Sequence, residues 1–128
     1  KTLILDIKFN EDYFERVIHH EVFHIIYLQH KEIFNDEEWS KFNNSKFRYA
    51  ECSTCTKKIG LKQYDKTEGF FTEYSKSTAS EDMAEVYSHM IYLKKDEINK
   101  IHKLDPILSN KILYIKNKIK IIDSSFVF

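Results

Sequence analysis

His20, Glu21, Val22, Phe23 and His24 spell H-E-x-x-H inside an apolar run. On an α-helix, residues four apart lie one turn above each other, so both imidazoles can point at one atom. Glu21, about 100° round the helix, lies beside that atom without having to bind it. Imidazole nitrogen is a favoured zinc ligand, and a catalytic zinc has three protein ligands with a fourth position left for water. The spacing therefore predicts a metal held by His20 and His24, a third ligand elsewhere in the chain, and Glu21 as a base. Val17, Ile18, Val22, Phe23, Ile25, Ile26 and Leu28 surround the motif, so the helix is expected to be buried over much of its circumference. A buried polar group without a partner costs about 1–3 kcal/mol, and a metal would partner all three at once.

The missing ligand is sought in Ser80, Glu81, Asp82, Met83, Ala84 and Glu85. Glu81 and Glu85 share a helix face one turn apart, so one can bind metal while the other accepts a hydrogen bond from a histidine's free ring N–H. Spacing alone does not say which does which. Thr78, Ala79, Ser80 and Glu81 also match a capping box, in which Glu81 would turn back to a backbone N–H.

The stretch from Gly69 through Phe70, Phe71, Thr72, Glu73 and Tyr74 to Ser75, followed by Ser80 to Val86, resembles the downstream motif of gluzincin-type zinc metallopeptidases. These include the bacterial "putative zinc-binding metallopeptidase" family and the lethal-factor-like toxin peptidases. In them a Tyr is followed, after six residues, by a Glu and, after three more, by a second Glu; Tyr74, Glu81 and Glu85 keep that spacing. The resemblance implies that Glu81 is the third zinc ligand, that Glu85 buttresses a zinc histidine, and that the Tyr74 hydroxyl assists at the tetrahedral intermediate. It implies Zn²⁺ as cofactor, a peptide or protein as substrate, and peptide-bond hydrolysis in which Glu21 takes the proton of a zinc-activated water and passes it to the leaving amine. A secreted or cell-surface setting goes with the same resemblance. The alternative is a zincin-like domain that keeps zinc but has lost turnover and serves as a binding module; a metal-free helical domain with a chance motif is a third reading.

These residues need elements to hold them. Residues 2–9 read as a strand, ending before Asn10, which is placed to cap a helix running to about His30 or Lys31. Residues 35–42 suggest a short helical turn, and residues 43–69 an irregular middle with a hairpin around 48–64. A second helix is predicted from Ser80, as its N-cap, to about Lys95, with Met83, Val86, Tyr87, Met90 and Ile91 at helical spacing. Asp105 and Pro106 supply a cap and an N1 proline for a third. There Leu108, Ile112, Ile115, Ile119 and Ile122 form an apolar stripe, and Lys111, Lys116, Lys118 and Lys120 are read as a solvated face. The fold class expected is α+β: a zincin-like domain over residues 1–128 with an active-site helix, a ligand-bearing helix, a C-terminal packing helix and a small sheet. Zincins carry several strands before the active-site helix, so either the middle segment supplies the rest or the chain, which begins at Lys1, is a trimmed catalytic core.

Composition bounds the alternatives. With 128 residues, 42% hydrophobic and 15% aromatic, the chain has the material for one core. Twenty basic and twenty acidic residues cancel, which removes the broad field of a general nucleic-acid binder. No apolar run approaches the roughly 18–20 residues that would span a bilayer. Cys52 and Cys55 form a lone C-x-x-C, read as a local disulfide or two thiols rather than a structural zinc site, which needs a second pair. His19, His30, His89 and His102 are given no role in the site, and His89 is read as a structural histidine.

Overall fold

The computed structural model describes residues 11–50, 52–54 and 68–128. Five helices and one 3₁₀ turn account for most of them: α1 (Glu11–Gln29), α2 (Asp36–Ser40), the 3₁₀ turn (Tyr74–Lys76), α3 (Ala79–Tyr92), α4 (Lys95–Leu104) and α5 (Pro106–Ile122). Among the described residues there is no strand, only an isolated bridge residue at Thr72, so the α+β class with a small sheet is corrected to a helical one. The strand expected over 2–9, its Asn10 cap and most of the hairpin expected over 48–64 lie outside the described residues. Where the middle segment is described, its aromatic residues pack a loop instead of a sheet. Phe47 lies 4.6 Å from Phe70 and 4.9 Å from Tyr49, ring centre to ring centre.

α3 is the central element, with every residue from 82 to 90 buried. It packs against α1, α2, α5 and the 3₁₀ turn. Phe23 of α1, Trp39 of α2, Phe71, Met83, Val86 and the Leu108–Ile112–Ile115–Ile119 stripe of α5 make the core around it. The short α2 is capped by Asn35, whose side chain accepts from the Glu38 N–H at 2.8 Å, and it exists to deliver Trp39, fully buried.

Two boundaries and one additional helix differ from expectation. The cap of α3 is Thr78 rather than Ser80, its hydroxyl accepting the Glu81 N–H at 3.2 Å. α3 stops at Tyr92 because Leu93 and Lys94 turn extended, and the separate helix α4 follows, with the Glu97 carboxylate accepting the Lys94 N–H at 3.0 Å. No residue of α4 is fully buried, but Ile98 and Ile101, three apart on one face, pack against the core while the charged residues face out, a short amphipathic pattern that begins where the second helix was expected to end. Asp105 caps α5 as expected, accepting the Leu108 N–H at 2.9 Å, and the proline after it holds Asp105 extended. α1 is less buried than its composition suggests: Arg16, His20 and Phe23 are covered, whereas Ile25 and Leu28 are 40% and 48% exposed. No helix among the described residues is long and apolar enough to cross a membrane.

Candidate metal centre

α1 carries His20 and His24 one turn apart, with ring centres 4.8 Å from each other and planes inclined at 74°. Their Nε2 atoms are 3.1 Å apart. The first turn of α3 brings Glu81 against both, with Oε2 at 2.9 Å from His20 Nε2 and 3.1 Å from His24 Nε2. The expected capping box is thus half made. Thr78 caps the Glu81 N–H, but the Glu81 carboxylate serves the histidines instead of turning back to the Thr78 backbone.

The three donor atoms form a nearly equilateral triangle with sides of 2.9–3.1 Å. Bonds of about 2.0–2.2 Å to a tetrahedral zinc separate neighbouring ligand atoms by roughly 3.3–3.6 Å, so the triangle is a few tenths of an ångström tighter than one face of such a site and would open slightly to hold the ion. Two imidazole nitrogens and one carboxylate oxygen are the donor set that zinc takes in open sites, and His20, His24 and Glu81 are the one group of metal-ligating side chains so gathered among the described residues.

Glu85, one turn further along α3 and buried, lies on the other edge of His20. Its Oε1 accepts from His20 Nδ1 at 2.9 Å, and its Oε2 accepts from the Thr72 hydroxyl at 2.8 Å. With Nδ1 committed as a donor, the lone pair of the neutral ring is left on Nε2, facing Glu81 and His24. Burial works against a charge on His20, but its hydrogen bonds to the Glu81 and Glu85 carboxylates outweigh it and push its pKa up to about 9. Burial likewise opposes ionisation of Glu81, yet the two histidines hold it down at about 2. Tyr74 stands beside this cluster, its ring 6.0 Å from that of His20. Burial and then the charges of Glu81, Glu85 and Glu21 raise its pKa, so its hydroxyl keeps its proton and remains a donor. Glu21 is half-buried and has no hydrogen bond to a described residue. Its charge is the smallest of those that raise the Tyr74 pKa.

A family model described as "Putative zinc-binding metallo-peptidase" matches residues 4–126. The chain belongs to this family. No curated protein and no solved structure matches it in the other two comparisons. Membership of a zinc-binding family agrees with the donor set, and the motifs that suggested the resemblance lie within the matched residues.

Other contacts around the centre were not legible in the spacing. His89 is 2% exposed and has three partners: its Nδ1 donates to the Glu85 carbonyl at 2.7 Å, its Nε2 accepts from Arg16 at 3.0 Å, and its ring stacks on Phe71 at 4.3 Å. Burial pulls its pKa down to about 4, so it is the neutral structural histidine expected. Arg16 had a signal, because it lies one turn before His20 on the same face of α1. Thr72 had none, being a lone threonine in a loop. His102 bonds Ser109 at 2.8 Å and His30 lies 3.6 Å from Glu32, both away from the centre. Cys52 is disulfide-bonded, and Cys55 lies outside the described residues.

Proposed function

We propose that the protein is a zinc-dependent peptidase in which His20, His24 and Glu81 hold the metal and Glu21 is the general base. The observation that carries this reading is the triangle of two Nε2 atoms and one carboxylate oxygen, backed by Glu85 on the far nitrogen of His20. Bound zinc supplies Lewis acidity, polarising a carbonyl and lowering the pKa of water. Glu85 fixes the His20 tautomer so that Nε2 is the ligating atom. Glu21, which has no competing partner among the described residues, accepts a proton from water and delivers it to the leaving amine. Tyr74, kept protonated by its burial and then by the carboxylates around it, donates a hydrogen bond to the oxyanion that develops on the scissile carbonyl.

The test is hydrolysis of a peptide library by the zinc-loaded protein beside Glu21→Gln. The variant is expected to keep its zinc, measured by elemental analysis at one ion per chain, while losing at least about a hundredfold in turnover. Full activity in Glu21→Gln would remove Glu21 from its role. Zinc without any hydrolysis by the wild type would favour the binding-module alternative.

A further inference from the structure

Thr72 is wholly buried, as is Ser75, and the two hydroxyls are 3.0 Å apart. Thr72 Oγ1 also lies 2.8 Å from Glu85 Oε2 and accepts the Ser75 backbone N–H at 3.1 Å, while Ser75 Oγ accepts the Thr72 backbone N–H at 3.3 Å. A hydroxyl has one proton and two lone pairs. An ionised carboxylate only accepts, so the single Thr72 proton goes to Glu85, and the Ser75 hydroxyl must donate to Thr72. Every donor and lone pair of Thr72 Oγ1 is then used.

The direction of the whole chain follows. Ser75 donates to Thr72, Thr72 donates to Glu85 Oε2, and His20 donates from Nδ1 to Glu85 Oε1. With both Glu85 oxygens occupied, its carboxylate plane is set, and with it the edge of His20 that faces Glu81. Ser75 belongs to the 3₁₀ turn that begins at Tyr74. One hydroxyl therefore joins the turn that carries the tyrosine to the carboxylate that orients the histidine.

We propose that Thr72 is a positioning residue for the metal centre: through Glu85 it fixes the orientation of His20, and through Ser75 it locks the Tyr74 turn in the same register. This rests on the zinc-binding reading given above. The methyl group of valine would fill the place of the hydroxyl without donating to Glu85 or accepting from Ser75, so Thr72→Val removes these hydrogen bonds at constant shape, the Glu85→Ala background separates the one to Glu85, and Thr72→Ser keeps the hydroxyl.

The experiment is zinc affinity measured by competition with a chromophoric chelator, with the visible spectrum of the Co²⁺-substituted protein as a second readout. Thr72→Val is expected to weaken zinc about tenfold, the lower end of the effect of removing an outer-shell partner, and to alter the Co²⁺ bands. Thr72→Ser is expected to restore both. In a Glu85→Ala background, Thr72→Val should weaken zinc no further, because its partner is gone. Equal affinity in Thr72→Val and wild type, or an undiminished tenfold loss in the Glu85→Ala background, would overturn the inference while leaving the zinc reading intact. Failure of the wild type to bind zinc would overturn both. Should Thr72→Val not fold, Ser75→Ala, which leaves Thr72 able to donate to Glu85, is expected to bind zinc within a few-fold of wild type; a loss as large as that of Glu85→Ala would overturn the assignment of the Thr72 proton.

Discussion

At the scale of single residues, His20 is where the centre's opposing demands meet, because each of its nitrogens has a carboxylate. Nδ1 faces Glu85 and Nε2 faces Glu81, both at 2.9 Å, and without metal this arrangement favours the imidazolium. Burial opposes that charge, but the two carboxylates prevail and His20 sits at about 9. The folded value lies above the ordinary 6.5, so this pairing stabilises the metal-free fold below pH 6.5 and its contribution is lost as pH rises through 9. A metal takes the neutral ring and must displace the proton. Zinc affinity is therefore expected to rise about tenfold per pH unit between pH 7 and pH 9 and then to level off, as read by chelator competition. A flat profile across that interval would show that His20 is already neutral in the metal-free protein.

Among the elements, the N-terminal half of α3 is tied to its neighbours by a buried ion pair next to Glu81. The fully buried Lys111 of α5 reaches Asp82 Oδ2 at 2.7 Å and the Gly69 carbonyl at 2.6 Å, and lies 3.9 Å from the centre of the Phe70 ring. Trp39 Nε1 and the Tyr49 hydroxyl donate to the same Asp82 oxygen. Gly69 is gripped from both sides, since its N–H goes to Asp105 Oδ2 at 2.8 Å, and its φ of +91° suits a residue without a side chain. The loop from Gly69 to Thr72 is thus set by α5 before it reaches the metal centre. Burial raises the pKa of Asp82 and lowers that of Lys111, each against the pull of the other, so the pair holds its charges only while both are present. Lys111→Met is expected to cost about 3–5 kcal/mol in urea unfolding, because it strands a buried carboxylate. Adding Asp82→Asn, which keeps an acceptor for Trp39 and Tyr49, should recover part of the loss. A cost below about 1 kcal/mol for Lys111→Met would mean that water reaches Asp82. Lys111, expected on the solvated face with the other lysines of α5, is buried, because Leu108, Lys111 and Ile115 are spaced three and four apart and share the face that meets α3.

For the molecule as a whole, His89 makes the packing sensitive to acid. Its contacts come from α1, from α3 and from the loop bearing Phe71, and burial holds it neutral with a pKa of about 4. The unfolded chain takes up a proton near pH 6.5 that the fold refuses. Stability should therefore fall as pH drops from about 6.5 to 4, by on the order of 3 kcal/mol, and this component should level off below. Urea unfolding of wild type and His89→Gln across that range isolates the effect; identical pH dependence in both would discount it. What could be read without coordinates was whatever repeats along one helix. The His20–Glu21–His24 spacing, the Glu81–Glu85 pair and the Asp105–Pro106 start of α5 are consequences of a 3.6-residue turn, visible within a few neighbours. The absence of a sheet among the described residues, the separate α4, the buried Lys111 and the Thr72 contact to Glu85 were not read that way. Glu81 rather than Glu85 meets both Nε2 atoms because of how α1 lies against α3, which joins residues more than fifty positions apart. Local periodicity says which face a side chain occupies; whether that face meets water, a carboxylate or an aromatic ring depends on the segments that fold over it.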